Sequence, residues 1–161
     1  MVYRLNALPE NLSQFRGIIG DMSRPEKTAV LLIAALNLYV RDKDAGIEAM
    51  NILRGPRPMT VSDIQFLRDR LYDKPYLPMA YFDGATPENN YTPARPYVLR
   101  VMPDPRPQDA GEGYCRVYLT TAGADSPRCV KLRSKGENWY LWEYFGILPG
   151  IRVPAKEDSW T

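Results

Sequence analysis

The chain has 161 residues, 21 Lys+Arg against 19 Asp+Glu, two Cys and no His, for a net charge of +2. That length fits one globular domain that buries a core without disulfide or metal staples. The missing histidine excludes Ser-His-Asp and Cys-His catalysis, a histidine general base and any His-containing zinc site.

The first 75 residues read as helical. Leu12, Phe15, Ile18, Ile19 and Met22 recur at helical spacing, which predicts a first helix from about Pro9 to Gly20. Ser23-Arg24-Pro25-Glu26 has the pattern of a capping box with Pro early in the helix. It opens a helix through about Arg41 that is apolar nearly all round and therefore central. Its most apolar run, Ala29 to Val40, is shorter than the roughly 20 residues a bilayer span needs. No apolar targeting segment follows Met1, so the expectation is a cytoplasmic protein without a membrane partner. Asp42 caps a short helix that Gly55-Pro56 stops, and Thr60-Val61-Ser62-Asp63 caps a fourth, with Ile64, Leu67 and Leu71 on its buried stripe.

Residues 76–95 change character. Tyr81-Phe82-Asp83-Gly84-Ala85-Thr86-Pro87-Glu88-Asn89-Asn90-Tyr91-Thr92-Pro93 is rich in Pro, Asn and Gly yet carries three aromatics, which predicts an ordered loop packed by its own side chains.

Residues 96–161 read as strands and a tail. The strands are Pro96 to Met102, Tyr114 to Thr121, Arg128 to Arg133 and Asn138 to Phe145, and the tail ends in Lys156-Glu157-Asp158-Ser159-Trp160-Thr161. One hairpin register has Val117 facing Leu132 and Leu119 facing Val130; a Lys135-Gly136 turn then sets Leu132 against Trp139 and Val130 against Leu141. Both give one apolar face of Cys115, Val117, Leu119, Val130, Leu132, Trp139 and Leu141, suited to packing on the helices. The opposite face alternates aromatic and basic residues: Tyr114, Arg116, Tyr118, Thr120, Cys129, Lys131, Arg133, Tyr140, Trp142 and Tyr144. In this register Lys131 lies between Tyr118 and Tyr140, and Arg116 opposite Arg133. Such a face either stabilises a solvated sheet surface or stacks rings and holds anions; the tail is a candidate cover for it. Cys115 and Cys129 point to opposite faces and cannot pair, and Cys129, near Lys131, is the better placed for a reactive thiol.

The expected fold class is therefore α+β: a helical N-terminal half of about four helices packed on one face of a C-terminal antiparallel β-meander, in a single domain over residues 1–161. The chain has no phosphate-binding glycine loop, no CxxC pair and no EF-hand loop, so neither a cofactor, a metal nor a catalytic set is indicated. In the Ala124-Asp125-Ser126-Pro127-Arg128 loop, Asp125 caps a turn or Arg128 clamps a carboxylate or phosphate. Charge is balanced in both halves, with 11 basic and 9 acidic residues over 1–80 and 10 of each over 81–161, which argues against nucleic acid.

Three stretches carry a resemblance. They are Leu53-Arg54-Gly55-Pro56-Arg57-Pro58-Met59 with the Phe66-Leu67-Arg68-Asp69-Arg70-Leu71 helix, the 81–93 loop, and Ala124-Asp125-Ser126-Pro127-Arg128 with Lys131-Leu132-Arg133 and Trp139-Tyr140-Leu141-Trp142-Glu143. Together they resemble an uncharacterised family of small proteins from Gram-positive, mainly clostridial, bacteria. The resemblance implies a bacterial, non-secreted protein and transfers no residue roles.

The functional expectation is a non-catalytic binding or interaction module with an aromatic and basic surface for a small anionic molecule or peptide. Its candidate residues are Tyr81, Asn89, Asn90, Tyr91, Arg128, Lys131, Tyr140 and Trp142, at a rim where the two loops and the aromatic–basic face meet. Two alternatives stand beside it: a His-free enzyme using a buried carboxylate, and a structural or oligomeric subunit such as a homodimer.

Overall fold

The computed structural model describes residues 1–160. Thr161, the last residue of the tail, lies outside them. Residues ahead of the first helix form a strand, β1 (Val2–Leu5). Helices α1 (Leu12–Ile19), α2 (Pro25–Arg41), α3 (Lys43–Arg54) and α4 (Val61–Leu71) follow. Strands β2 (Tyr97–Pro103), β3 (Tyr114–Leu119), β4 (Arg128–Lys135) and β5 (Asn138–Glu143) complete an antiparallel sheet ordered β1-β2-β3-β4-β5. The fold is α+β, four helices and a five-stranded antiparallel sheet in the manner of a half-barrel. β1 departs from a purely helical first half: four residues are too few to declare a strand, and pairing with β2 (Tyr3 to Leu99, Leu5 to Tyr97) defines it.

α2 is the central helix, with Ala29 through Leu36 all at most 2% exposed. Each of its buried leucines and isoleucines contributes about 1.5–3 kcal/mol relative to an exposed one. α3 crosses it closely, because Gly46 rests on the Tyr39 backbone, where a Cβ would come within 2.2 Å of Tyr39 Cα. The helix caps are partly those expected. Asp42 accepts from the Ala45 N–H (3.2 Å), and Thr60 and Asp63 form a reciprocal capping box. Ser23 caps nothing: its hydroxyl donates to Asp21 (2.6 Å), and α2 starts at Pro25 without a side-chain cap.

The sheet faces are as read, but the pairing is shifted. Val117 pairs with Val130, Cys115 with Leu132, and Leu119 with Arg128, so Arg116 lies opposite Lys131 rather than Arg133. Leu132 pairs with Leu141, and the turn is Gly136-Glu137, closed by Lys135 and Asn138. Gly136 has φ 61° at the first central position, the place a type II′ hairpin reserves for glycine. Both slips are of two residues, and a strand's side chains repeat every two, so no side chain changes face. An irregularity between Leu132 and Lys131 then brings Lys131 opposite Glu143. β5 ends there, and Tyr144 turns into the core at 1% exposure instead of joining the aromatic–basic face. The tail runs elsewhere, its Ala155 N–H bonding Pro87 O (2.8 Å) and its Lys156 N–H bonding Asn90 Oδ1 (2.9 Å).

Candidate functional site

The candidate residues fall into two sets. The first lies in the loop system. Tyr81 is buried and donates its hydroxyl to Ile147 O; Tyr91 is buried, stacks on Tyr76 (centroids 5.6 Å apart) and donates to Arg152 O (2.6 Å). Burial raises both phenols, Tyr91 to about 12, so they stay neutral hydroxyl donors. Asn89 accepts from the Thr86 and Thr92 N–H groups and donates to Gly84 O (2.7 Å), holding the loop closed. Asn90, at φ 56°, accepts the tail's Lys156 N–H. Arg128 donates to the carbonyls of Gly146 (2.8 Å), Pro149 (2.5 Å) and Gly150 (3.1 Å). Asp125 takes the Arg152 guanidinium. The 81–93 and 124–128 loops are bridged by residues 152–156, which bond Pro87, Asn90 and Tyr91 on one side and Asp125 on the other, while Arg128 is held by the 146–150 carbonyls. Expected at a binding rim, these side chains serve the fold, because a long irregular segment must satisfy its own backbone.

Lys131, Tyr140 and Trp142 form the second set, on the aromatic–basic face. Register places Tyr114, Arg133 and Tyr140 in one row across β3, β4 and β5. Tyr114 and Trp142 meet edge to face at 5.7 Å. Lys131 Nζ lies 4.8 Å from the Tyr114 ring centre, and the Arg133 guanidinium 5.5 Å from Tyr114 and 4.6 Å from Trp142. These contacts replace the Tyr118–Lys131–Tyr140 row expected from the unshifted register.

The α3–α4 connection completes this set. Gly55, at φ 64°, ends α3 against the Tyr140 ring, where a Cβ would sit 2.5 Å from a ring carbon. The chain then carries Arg57 over Trp142, 4.0 Å from the ring centre, with an Nη2 donation to Trp142 O (2.6 Å). A buried network anchors the connection. Arg54, 4% exposed, donates to Arg57 O (2.9 Å), Tyr144 Oη (2.8 Å) and Asp63 Oδ2 (3.1 Å). Burial would raise Asp63, but the Thr60 hydrogen bonds and Arg54 outweigh it and hold the carboxyl below its ordinary value. Burial and the neighbouring Arg54 lower Arg57, which remains a cation.

The result is an open cleft of about 400 Å³ with Arg54, Arg57, Arg133, Lys135, Tyr140 and Trp142 in its walls. Among the described residues, Arg57, Lys131, Arg133 and Lys135 make no ion pair, while Arg54 has Asp63. Stacking on rings preorganises two guanidiniums and leaves their N–H edges toward solvent or ligand. Arg57 was invisible to strand-face reasoning because it reaches the sheet from a helix connection. A larger groove of about 700 Å³ borders β1, α1 and α2, but its charges (Arg4, Glu10, Lys27) are of mixed sign and its lining is mostly apolar, so it lacks a convergent polar set.

Among the described residues no Asp or Glu is fully buried. Two of the partly buried carboxylates, Asp104 and Asp63, each pair with an arginine: Asp104 with Arg116 (2.7 Å), Asp63 with Arg54 (3.1 Å). For Asp104, too, burial pulls upward, but hydrogen bonds from Arg106 and Arg116 hold it below its ordinary value. A general acid needs the opposite shift. Both thiols are free and half-buried, and burial raises them, Cys129 included despite its Tyr118 and Arg116 neighbours, so neither is an activated thiolate. No group of His, Cys, Asp and Glu among the described residues has a metal-holding arrangement.

Over residues 7–155 the chain matches a family described as Domain of unknown function (DUF6935). No curated protein and no solved structure matches it.

Proposed function

We propose that this chain, which belongs to the DUF6935 family, is a non-catalytic binding module whose ligand carries a negative charge and sits in the cleft between the α3–α4 connection and β5. One observation carries the reading: Arg57, Arg133 and Lys135 line one cleft beside Trp142, without a carboxylate partner among the described residues. Other arginines also lack an acidic partner, Arg70 over Phe66 and Arg95 over Tyr97 among them; what sets Arg57 and Arg133 apart is that both lie over one ring, Trp142, and line one cleft with Lys135. A cluster kept unpaired and pinned to a ring raises the local concentration of anions. The ionised, arginine-paired states of Asp63 and Asp104 favour binding over carboxylate catalysis.

The resemblance noted in the sequence supports a bacterial origin. No helix among the described residues is long and apolar enough to cross a membrane, which accords with a cytoplasmic site of action.

Tryptophan fluorescence tests the reading. Titration with phenyl phosphate or benzoate should change an emission component that Trp142→Phe removes, with the affinity weakened in Arg57→Gln. Anions that leave the Trp142 component unmoved would refute it.

A further inference from the structure

We infer that the anion taken by the cleft is a phosphate monoester on a small molecule with an apolar or aromatic body. This deepens the anion-binding reading and rests on it. A carboxylate has one charge and two oxygens, and one guanidinium fork satisfies it. Here Arg57, Arg133 and Lys135 line the same space, and Lys131 adds a fourth cation on the same sheet face. Arg133, Lys131 and Lys135 donate no side-chain hydrogen bond to any described residue, while Arg57 gives Nη2 to Trp142 O and keeps the rest of its fork. That many unspent donors fit a dianion with three terminal oxygens. The remaining walls are Pro56, Tyr140, Leu141 and Trp142, apolar or aromatic, with Ser134, whose hydroxyl donates to Gly113 O (3.3 Å). At about 400 Å³ the cleft falls in the size range of small-molecule sites, and an inorganic ion alone would leave it unfilled.

Isothermal titration of the full chain with phenyl phosphate, inorganic phosphate and benzoate tests this. Phenyl phosphate should bind at least about tenfold tighter than either of the others, the scale of one additional charge-assisted contact. Arg133→Gln and Lys135→Gln, both at exposed positions that leave the core intact, should each weaken it about tenfold, and the remote Arg16→Gln should not. Phenyl phosphate affinity should also rise about tenfold from pH 5 to 7.5, because the second phosphate ionisation lies near 6. The chain has no histidine to titrate in that interval, and the charged groups about the cleft are Arg54, Arg57, Arg133, Lys135 and Lys131, with Asp63 behind Arg54, Glu137 in the turn after Lys135 and Glu143 opposite Lys131. Benzoate, ionised throughout, reports any contribution from those three carboxylates. Equal binding of benzoate and phenyl phosphate, with no pH rise, would overturn the phosphate assignment and leave the anion site standing. Binding of either anion that Arg133→Gln and Lys135→Gln leave unchanged, or no binding at all, would overturn both.

Discussion

Replacing Arg54 with Met keeps most of the buried stem and removes its three donors. The Tyr144 hydroxyl, on a residue 1% exposed, loses its partner and costs about 1–3 kcal/mol as an unsatisfied buried group. Asp63, 19% exposed, keeps its Thr60 bond (2.9 Å) but loses its guanidinium, at a cost of about 1 kcal/mol. The Arg57 carbonyl lies near the surface, where water replaces the lost donor at small cost. The expected sum is about 3 kcal/mol, the lower end for breaking a buried ion pair. Urea unfolding at constant slope measures it, and the melting temperature should fall by about 6–12 °C for a chain of this size. Tyr144→Phe should cost about 1–2 kcal/mol, and the Arg54→Met/Tyr144→Phe double variant little more than Arg54→Met alone. A loss below about 1 kcal/mol in Arg54→Met, or strict additivity in the double variant, would refute the buried network as the anchor of the α3–α4 connection.

Gly46→Ala should destabilise by about 1–3 kcal/mol or more, since its Cβ would meet Tyr39 backbone rather than a yielding side chain; calorimetry reads this. The depressed Asp63 carboxyl stabilises the fold above its unfolded value near 3.9, and this stability is lost as pH falls through the lower folded value. Acid titration of unfolding should therefore be shallower in Asp63→Asn. Tyr91 acts in the opposite direction. Its folded value of about 12 exceeds the unfolded value near 10, so its contribution is complete below pH 10 and lost as pH rises toward 12. Tyr91→Phe should flatten that alkaline decline, and an unchanged slope would contradict the burial of the phenol.

Much of the fold was legible because its signals are local. Thr60 and Asp63 cap α4 within one turn, and α2 shows its centrality by being apolar on every side. The sheet faces survived a wrong register because a two-residue slip preserves parity. β1 was not legible, since a four-residue strand exists through its partner β2. In the site, Lys131, Tyr140 and Trp142 were readable as one face of alternating strands. Arg57 was not, because only the tertiary crossing of the 55–57 segment over β5 brings it to Trp142. Tyr81, Tyr91 and Arg128 have the residue types of a binding loop, yet burial and the carbonyls of residues 146–150 engage them. Sequence shows a donor but not the acceptor that folding brings to it.

The location of anion binding is the central claim, and a two-dimensional NMR titration with phenyl phosphate observes it directly. The largest shifts should fall on the Trp142 indole N–H and the Arg57 and Arg133 side-chain N–H groups, with Lys135 and Tyr140 beside them. Shifts centred on the 81–93 and 122–128 loops, or none above those of the Arg133→Gln variant, would contradict the account.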